Sequence, residues 1–342
     1  MTIGERELIA HYFAPLVRSP GAHQLRDDCA VLRPAMQQSM VVKTDPIREG
    51  VHFFEDDDPA DIGWKALAVN VSDLAAKSAR PVGYLMAVSF PEAPDLDWLR
   101  RFIGGLSEAQ DVFGCTLLGG DTDRAPGPLS ISVTVFGEVP HGRMILRETA
   151  SEKDLVYVSG TLGAAAVGLS VRQMERGDTP LVDVSALRKP LAASARDRYV
   201  RPQPRLGLKA ALRRVASAAM DLSDGLALDA ARLTDAVSDA SGGPFGMEID
   251  LARIPVAPEL SAAGSGGGLA PADIFRLALG HGDDYEILAT VAPGDADTFE
   301  ALARAADVPV SCVGVCNTTQ AMTFCGDGHV VDALSGLGYL HF

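Results

Sequence analysis

Cysteine is scarce in this chain and is not arranged for a task. The five (Cys29, Cys115, Cys312, Cys316 and Cys325) are odd in number and form no CxxC pair, and the spacing of Cys312 and Cys316 is not that of a zinc site. Packed free thiols are therefore expected. Basic residues are also short, 30 against 45 acids, leaving a net charge of −15. That balance argues against a nucleic-acid footprint, which needs a basic face, and against attraction to anionic membranes. No apolar run reaches the roughly 18 residues of a spanning helix. The opening MTIGERELIAHYF carries acids and lacks the apolar core of a signal peptide. Several catalytic signatures are missing too. There is no P-loop GxxxxGK[ST], no HRD or DFG, no HExxH and no GxSxG. A cytoplasmic enzyme or binding protein remains, and any nucleotide would be held mainly by acids and ions.

What the chain does have is acid in short clusters. They read DDCAVL from Asp27, KTD ending at Asp45, NVSD ending at Asp73, GGDTD from Gly119, DLSDG from Asp221 and GDDYE from Gly282. Nearly all the acids are Asp, most with Gly, Ser or Thr beside them. Singly, each cluster reads as a turn or a helix cap. Together they point to a metal-bridged polyphosphate site, because Mg²⁺ reaches proteins through a few carboxylates plus substrate phosphates. Divalent ions also resolve the conflict between an acidic protein and an anionic ligand.

With 342 residues, 47% of them hydrophobic and 22% charged, the chain has the length of two ordinary soluble domains. Periodicity predicts a helix over 5–17, strands over 29–32 and 40–44, and a helix built on Trp64, Leu67, Ala68, Val71, Leu74, Ala75 and Ser78. Asn70, Asp73 and Lys77 share a different face of that helix. A strand over 82–90, a helix over 96–113 and an alternating strand over 129–135 follow. The second half restarts with DLVYVSG, a strand ending at Ser159, and GTLG opens a helix. Further helices are expected over 206–216 and 226–237, and strands over 245–249, 285–291 and 308–315. The glycine-rich 261–269 reads as a flexible loop.

The individual sites carry both functional and plain readings. In GGDTD the two glycines allow a sharp bend or a close approach to a ligand, with Asp121 at a strand's exit. In DLSDG, Asp221 and Asp224 suit metal and a helix terminus suits phosphate, though Ser223 or Asp224 also suits a plain cap. GTLGAAAVG fits a phosphate-cradling turn and close helix packing equally. Arg147, Arg143 and Lys43 are the basic candidates for phosphate. His52, flanked by Phe53 and Phe54, reads by default as a packed surface histidine.

In order along the chain, DDCAVL, TDPIREGVHF, KALAVNVSDLAAKSARP, LLGGDT, GRMILR, VSGTLG, RPQPRLG, AAMDLSDGL, GDDYEIL and the closing Gly338-Tyr339 resemble the thiamine-monophosphate kinase family. That family belongs to the superfamily of aminoimidazole-ribonucleotide synthetase and selenophosphate synthetase. The resemblance implies a mixed α/β subunit of two domains, here 1–147 and 148–342, with N-terminal sheets pairing in a homodimer. It implies transfer of the ATP γ-phosphoryl group directly to thiamine monophosphate, assisted by several Mg²⁺ ions. Carried over by position, the metal ligands would be Asp28, Thr44, Asp45, Asp73, Asp121, Asp221 and Asp224. Gly120, Asp121, Arg147 and Ser223 would meet ATP, and His52, Asp283 and Tyr339 the thiamine substrate. Asp45, Asp121 and Arg147 would carry the catalysis.

Three positions depart from the family pattern. Arg26 stands where Gly usually precedes the first Asp pair, and Lys43 stands where Ser usually precedes Thr44-Asp45. HGDDYE replaces GGEDYE, so a substrate-facing Glu becomes the shorter Asp283, with His281 nearby. Two other readings stay open at this point. One is a different ATP-dependent phosphotransferase or activating enzyme of the superfamily. The other is a non-catalytic nucleotide-binding paralogue, which would not need so many metal carboxylates.

Overall fold

The computed structural model describes residues 5–27, 29–267, 269–319, 322–326, 329–330 and 337–338. The chain divides into two compact units, Met1–Leu74 with Ala79–Met144, and Ala75–Ser78 with Ile145–Phe342. The break falls at Met144, slightly before the boundary expected at 147, and Arg147 belongs to the second unit.

The first unit opens with α1 (Glu5–Leu8), which passes into a wide turn over 9–13 and a tight one over 14–16. The single helix expected over 5–17 is broken up around Pro15, which has no N–H to give and crowds the carbonyl one turn back. The strand expected over 29–32 does not form. Val31 N–H instead donates to Gly21 O at 2.8 Å, folding the segment onto the 20–25 turn. The remaining elements are β1 (Gln38–Arg48), α2 (Pro59–Ala76), β2 (Arg80–Phe90), α3 (Leu96–Phe113), β3 (Leu117–Arg124) and β4 (Ser130–Pro140). Their sheet runs β1-β4-β2-β3, with β2 and β3 parallel and the other pairs antiparallel. Pro46 is tolerated inside β1 because β1 is an edge strand. The alternation in β4 is as expected. Ile131, Val133 and Val135 are buried, and Ser130, Ser132 and Thr134 face the other way. Along α2, the apolar stripe Leu67, Ala68, Val71, Leu74 and Ala75 is wholly buried.

In the second unit the order is β5 (Leu155–Ser159), α4 (Ala164–Arg176), α5 (Lys189–Val200), α6 (Lys209–Val215), β6 (Ala216–Leu222), α7 (Leu226–Ser241), β7 (Gly246–Asp250), α8 (Pro258–Gly267), α9 (Pro271–Gly280), β8 (Glu286–Val291), α10 (Ala296–Ala305), β9 (Val310–Asn317), β10 (Thr323–Gly326) and β11 (His329–Val330). The strands form one mixed sheet, β11-β10-β7-β9-β5-β8-β6. One face packs on α4, α7, α8 and α9, and the other on α6 and α10. Burial on both faces explains why every residue of β8 is buried and why its apolar Ile287, Leu288, Ala289 and Val291 do not alternate with exposed polar residues.

The glycine-rich loop expected over 261–269 is largely helix, as α8. Its glycines serve packing. A Cβ at Gly264 would stand 2.6 Å from Ile274 Cδ1, so the residue lets α8 lie close against α9. All five cysteines are free. Cys115 and Cys316 are buried, which pushes both thiols up to about 12. No described helix is long and apolar enough to cross a membrane.

Candidate active site

The pleat of β1 aims Lys43, Asp45 and Ile47 at α2, and Val42, Thr44 and Pro46 away from it. Facing them on α2 is the polar row that helical spacing predicts. Asn70 is fully buried and receives the Asp45 N–H on Oδ1 at 2.7 Å, while its Nδ2 donates to Asp45 O at 3.3 Å. One turn on, Asp73 Oδ2 lies 3.1 Å from the Lys43 ammonium, which is also 2.9 Å from Asp45 Oδ2. Burial alone would lower the Lys43 pKa, but the charge of Asp73 and the hydrogen bond to Asp45 leave it raised. The Thr44 hydroxyl does not join this cluster. It donates to Val133 O and receives the hydroxyl of Thr134 on the opposite face.

Asp121 stands elsewhere in the same unit. The GGDTD segment is not a turn, because β3 continues straight through it. Gly120 is needed there for close approach, since a Cβ would stand 1.8 Å from Met86 O of β2. Across the sheet, Asp45, Val133, Met86 and Gly120 share one row. Asp45 and the Gly120-Asp121 pair are thus on opposite edge strands, three strand spacings or about 14 Å apart. Asp121 and Gly120 line a cavity of about 1010 Å³ with Asp27, Cys29, Ser132 and Thr134. Asp28 lies outside the described residues. His52 sits in the turn after β1, where its Nδ1 accepts the Arg48 N–H at 3.0 Å and its carbonyl receives the buried Lys65 ammonium at 2.9 Å.

The acids of the second unit gather around one turn. β6 delivers Asp221, which is buried, and then Ser223 and Asp224. The loop 282–285 is stitched to that turn, Asp283 N–H to Ser223 O and Tyr285 N–H to Leu222 O, both at 2.9 Å. Gly282 permits the contact, as a Cβ there would lie 2.0 Å from Ser223 O. Asp283 and Tyr285 hold positive φ, 68° and 50°, a strained geometry that concentrates at functional sites. The Tyr285 hydroxyl donates to Asp283 Oδ1 at 3.1 Å. Arg147 is exposed beside the outer strand of this sheet. On either side of it, Leu146 O accepts from Ala219 N–H and the Thr149 hydroxyl donates to Ser217 O. Tyr339 lies outside the described residues.

Sequence reasoning missed the groups that hold this turn. Asp229, fully buried on α7, accepts the N–H groups of Ser223 and Asp224 at 3.0 and 2.9 Å, and Arg232 pairs with both Asp224 and Asp229. Burial pushes the Asp229 carboxyl up to about 6. Asp284 accepts the N–H groups of Gly163 and Ala165 at the start of α4, and burial pushes it up to about 7. The GTLG turn is therefore filled by a carboxylate and serves packing. Fully buried Glu286 receives Arg198 at 2.7 Å, Arg205 Nε at 2.6 Å and the Ser159 hydroxyl at 2.6 Å. Asp284 and Glu286 stand in the GDDYE cluster that the sequence marks, without a supporting role being read there, whereas Asp229 shows only as an acid inside an otherwise apolar stretch.

Among the described residues, no three His, Cys, Asp or Glu side chains converge as a ready metal cage. The donor set nevertheless fits Mg²⁺. It consists of hard carboxylate oxygens in ones and twos, with a cation already seated between Asp45 and Asp73, and Mg²⁺ takes its remaining ligands from water and phosphate.

A family profile, AIR synthase related protein, N-terminal domain, matches residues 26–139. The thiamine-monophosphate kinase of Escherichia coli K12 is 37% identical over 345 residues, covering all of this chain and 99% of that one. This chain belongs to the thiamine-monophosphate kinase family. The crystal structure of a family member from Stenotrophomonas maltophilia K279a is similar at a TM-score of 0.76 and 35% identity, covering 90% of this chain and 91% of that one. A ThiL complexed with AMPPCP and TMP is similar at a TM-score of 0.76 and 28% identity, covering 92% and 91%. The mixed α/β architecture expected from the sequence is that of these family structures.

Proposed function

We propose that the chain catalyses ATP-dependent phosphorylation of thiamine monophosphate to thiamine diphosphate, by direct transfer of the γ-phosphoryl group. The observation that carries this reading is a full-length match, at 37% identity, to enzymes named for that activity. The related protein that holds AMPPCP, an ATP analogue, together with TMP supports the substrate pair. Phosphoryl transfer asks mainly for positioning and for neutralisation of spread negative charge, not for a covalent nucleophile. The acids here suit that demand.

Asp28, Asp45, Asp73 and Asp121 of the first unit and Asp221 and Asp224 of the second would hold Mg²⁺. Thr44 would join them through the one lone pair its hydroxyl keeps after donating to Val133 O and accepting from Thr134. Bound Mg²⁺ supplies charge neutralisation and orientation of the phosphate oxygens. Arg147, exposed and always charged, is shaped to fork onto phosphate. Gly120 offers main chain at the cavity wall, and Ser223 presents backbone held by Asp229. The acceptor falls to His52, Asp283 and Tyr339. The Tyr285 hydroxyl holds Asp283 in place, and an acid there suits the thiazolium cation or the aminopyrimidine of thiamine.

The same reading includes a homodimer formed through the first unit's sheet. Exposed Val42 and Leu85 on the face turned away from α2 support it. A cytoplasmic location belongs to it as well, supported by five free thiols. The deciding assay measures ADP and thiamine diphosphate from purified chain, ATP and Mg²⁺, with and without thiamine monophosphate. ADP release that depends on thiamine monophosphate is the expected result. Equal ADP release in both arms would point to a different acceptor, and none in either to a non-catalytic paralogue. Light scattering of wild type and Val42→Glu tests the dimer, with the variant expected to shift towards monomer.

A further inference from the structure

Lys43 is placed where a metal would be expected. It stands two residues before Asp45 on β1, so the pleat turns both side chains towards α2, where Asp73 waits. Its ammonium lies 2.9 Å from one carboxylate and 3.1 Å from the other. The arrangement is fixed from below by Asn70, fully buried and bonded to both the N–H and the carbonyl of Asp45. Asp73 is only 18% exposed, so a positive charge beside it offsets the cost of shielding its carboxylate from water. An ammonium carries three N–H donors, and two are engaged here, which leaves one for a phosphate oxygen.

We propose that the Lys43 ammonium is a built-in cation that occupies the position of one divalent ion between Asp45 and Asp73, so that the protein loads one Mg²⁺ fewer than its acids would otherwise take. The proposal rests on the magnesium-assisted reading above. Its physical content is a trade of charge for permanence. A lysine delivers one positive charge where an ion delivers two, but it cannot dissociate at low magnesium. A salt bridge that merely fills the gap until ions arrive would behave differently, because an incoming divalent ion would displace it and the ion count would not depend on residue 43.

Counting ions decides between the two. Mn²⁺ serves as the probe, with free Mn²⁺ read by electron paramagnetic resonance during titration of the full chain in saturating AMPPCP. Lys43→Met removes the charge while keeping bulk, and Lys43→Ser is the second variant in case the first misfolds. Either neutral variant is expected to bind one more Mn²⁺ per chain than wild type, and Lys43→Arg is expected to match wild type. Equal counts in wild type and the folded neutral variants, zero included, overturn the proposal. Turnover is not needed for this count. A chain inactive on ATP and thiamine monophosphate would therefore sink the functional reading and leave this one to be decided by the Mn²⁺ numbers.

Discussion

In the first unit the acids stand on regular elements, Asp45 on β1, Asp73 on α2 and Asp121 on β3, whereas in the second Asp221, Asp224 and Asp283 crowd around one turn. The difference lies in what holds them. A strand or helix fixes a side chain's direction by its own period, so the first unit needs little beyond Asn70 and the Lys43 counter-charge. A turn has no such period. The second unit orders its turn with buried charge instead, Asp229 under the DLSDG amides, Asp284 at the start of α4 and Glu286 between two arginines. Displayed acids should therefore be costly to function and cheap to stability, and supporting acids the reverse.

The sharpest test of that contrast removes a displayed acid. On the proposed reading Asp45→Asn should lower turnover by roughly 10²–10³-fold or more, since it deletes a carboxylate that would hold Mg²⁺, while the urea midpoint stays near wild type. Near-normal turnover at ordinary Mg²⁺ would take Asp45 out of the machinery.

The supporting group should give the mirror image. Glu286→Ala leaves Arg198 and Arg205 without the carboxylate that joins them, a loss of about 3–5 kcal/mol for a buried ion pair. Urea unfolding followed by circular dichroism reads this directly. A loss below about 1 kcal/mol, the value of a surface pair, would break the comparison.

Asn70→Ala probes the first unit's lighter scaffold. It orphans the Asp45 N–H and should cost about 1–3 kcal/mol. Urea unfolding reads this cost in the same way as for Glu286→Ala. A cost as large as that of Glu286→Ala would mean that the two units lean on buried polar groups equally.

The smallest effect is on the pH profile. Burial, partly opposed by the Gly163 and Ala165 amides and by Arg198, holds Asp284 up at about 7, above its unfolded value. The folded state then keeps a proton that the unfolded chain releases, so this contribution is full below about pH 4 and is lost as pH rises through about 7. Asp284→Asn removes the titration but not the fixed cost of altering the site. The melting temperature of wild type minus that of Asp284→Asn should fall across this window and then level off. A difference that is flat with pH would show that Asp284 does not titrate there.

Much of this was legible along the chain. Asp95 caps α3 with its side chain and Gly114 closes it in the left-handed conformation, so that helix runs over the residues its periodicity marks. The alternation of β4 and the apolar stripe of α2 are equally local, as is the pair Asn70 and Asp73, while Lys77 falls just past the end of α2 at Ala76. The motif strings, taken in order from DDCAVL to the closing Gly338-Tyr339, pointed to the family to which the chain belongs.

What the sequence by itself determined, then, was every feature set by a short period or a cap, together with the types of the functional groups. Tertiary structure decided the rest. It made the glycine-rich 258–267 a helix because Ile274 packs where a side chain would have been. It ran β3 straight through GGDTD because Met86 O closes on Gly120. It set Lys43 between two carboxylates that lie 2 and 30 positions away along the chain, and Asp229 beneath amides of another element. The physical reason is common to all four. Periods and caps act within about one turn of chain, whereas close packing and the pairing of buried charge join residues that only folding brings within a few ångströms.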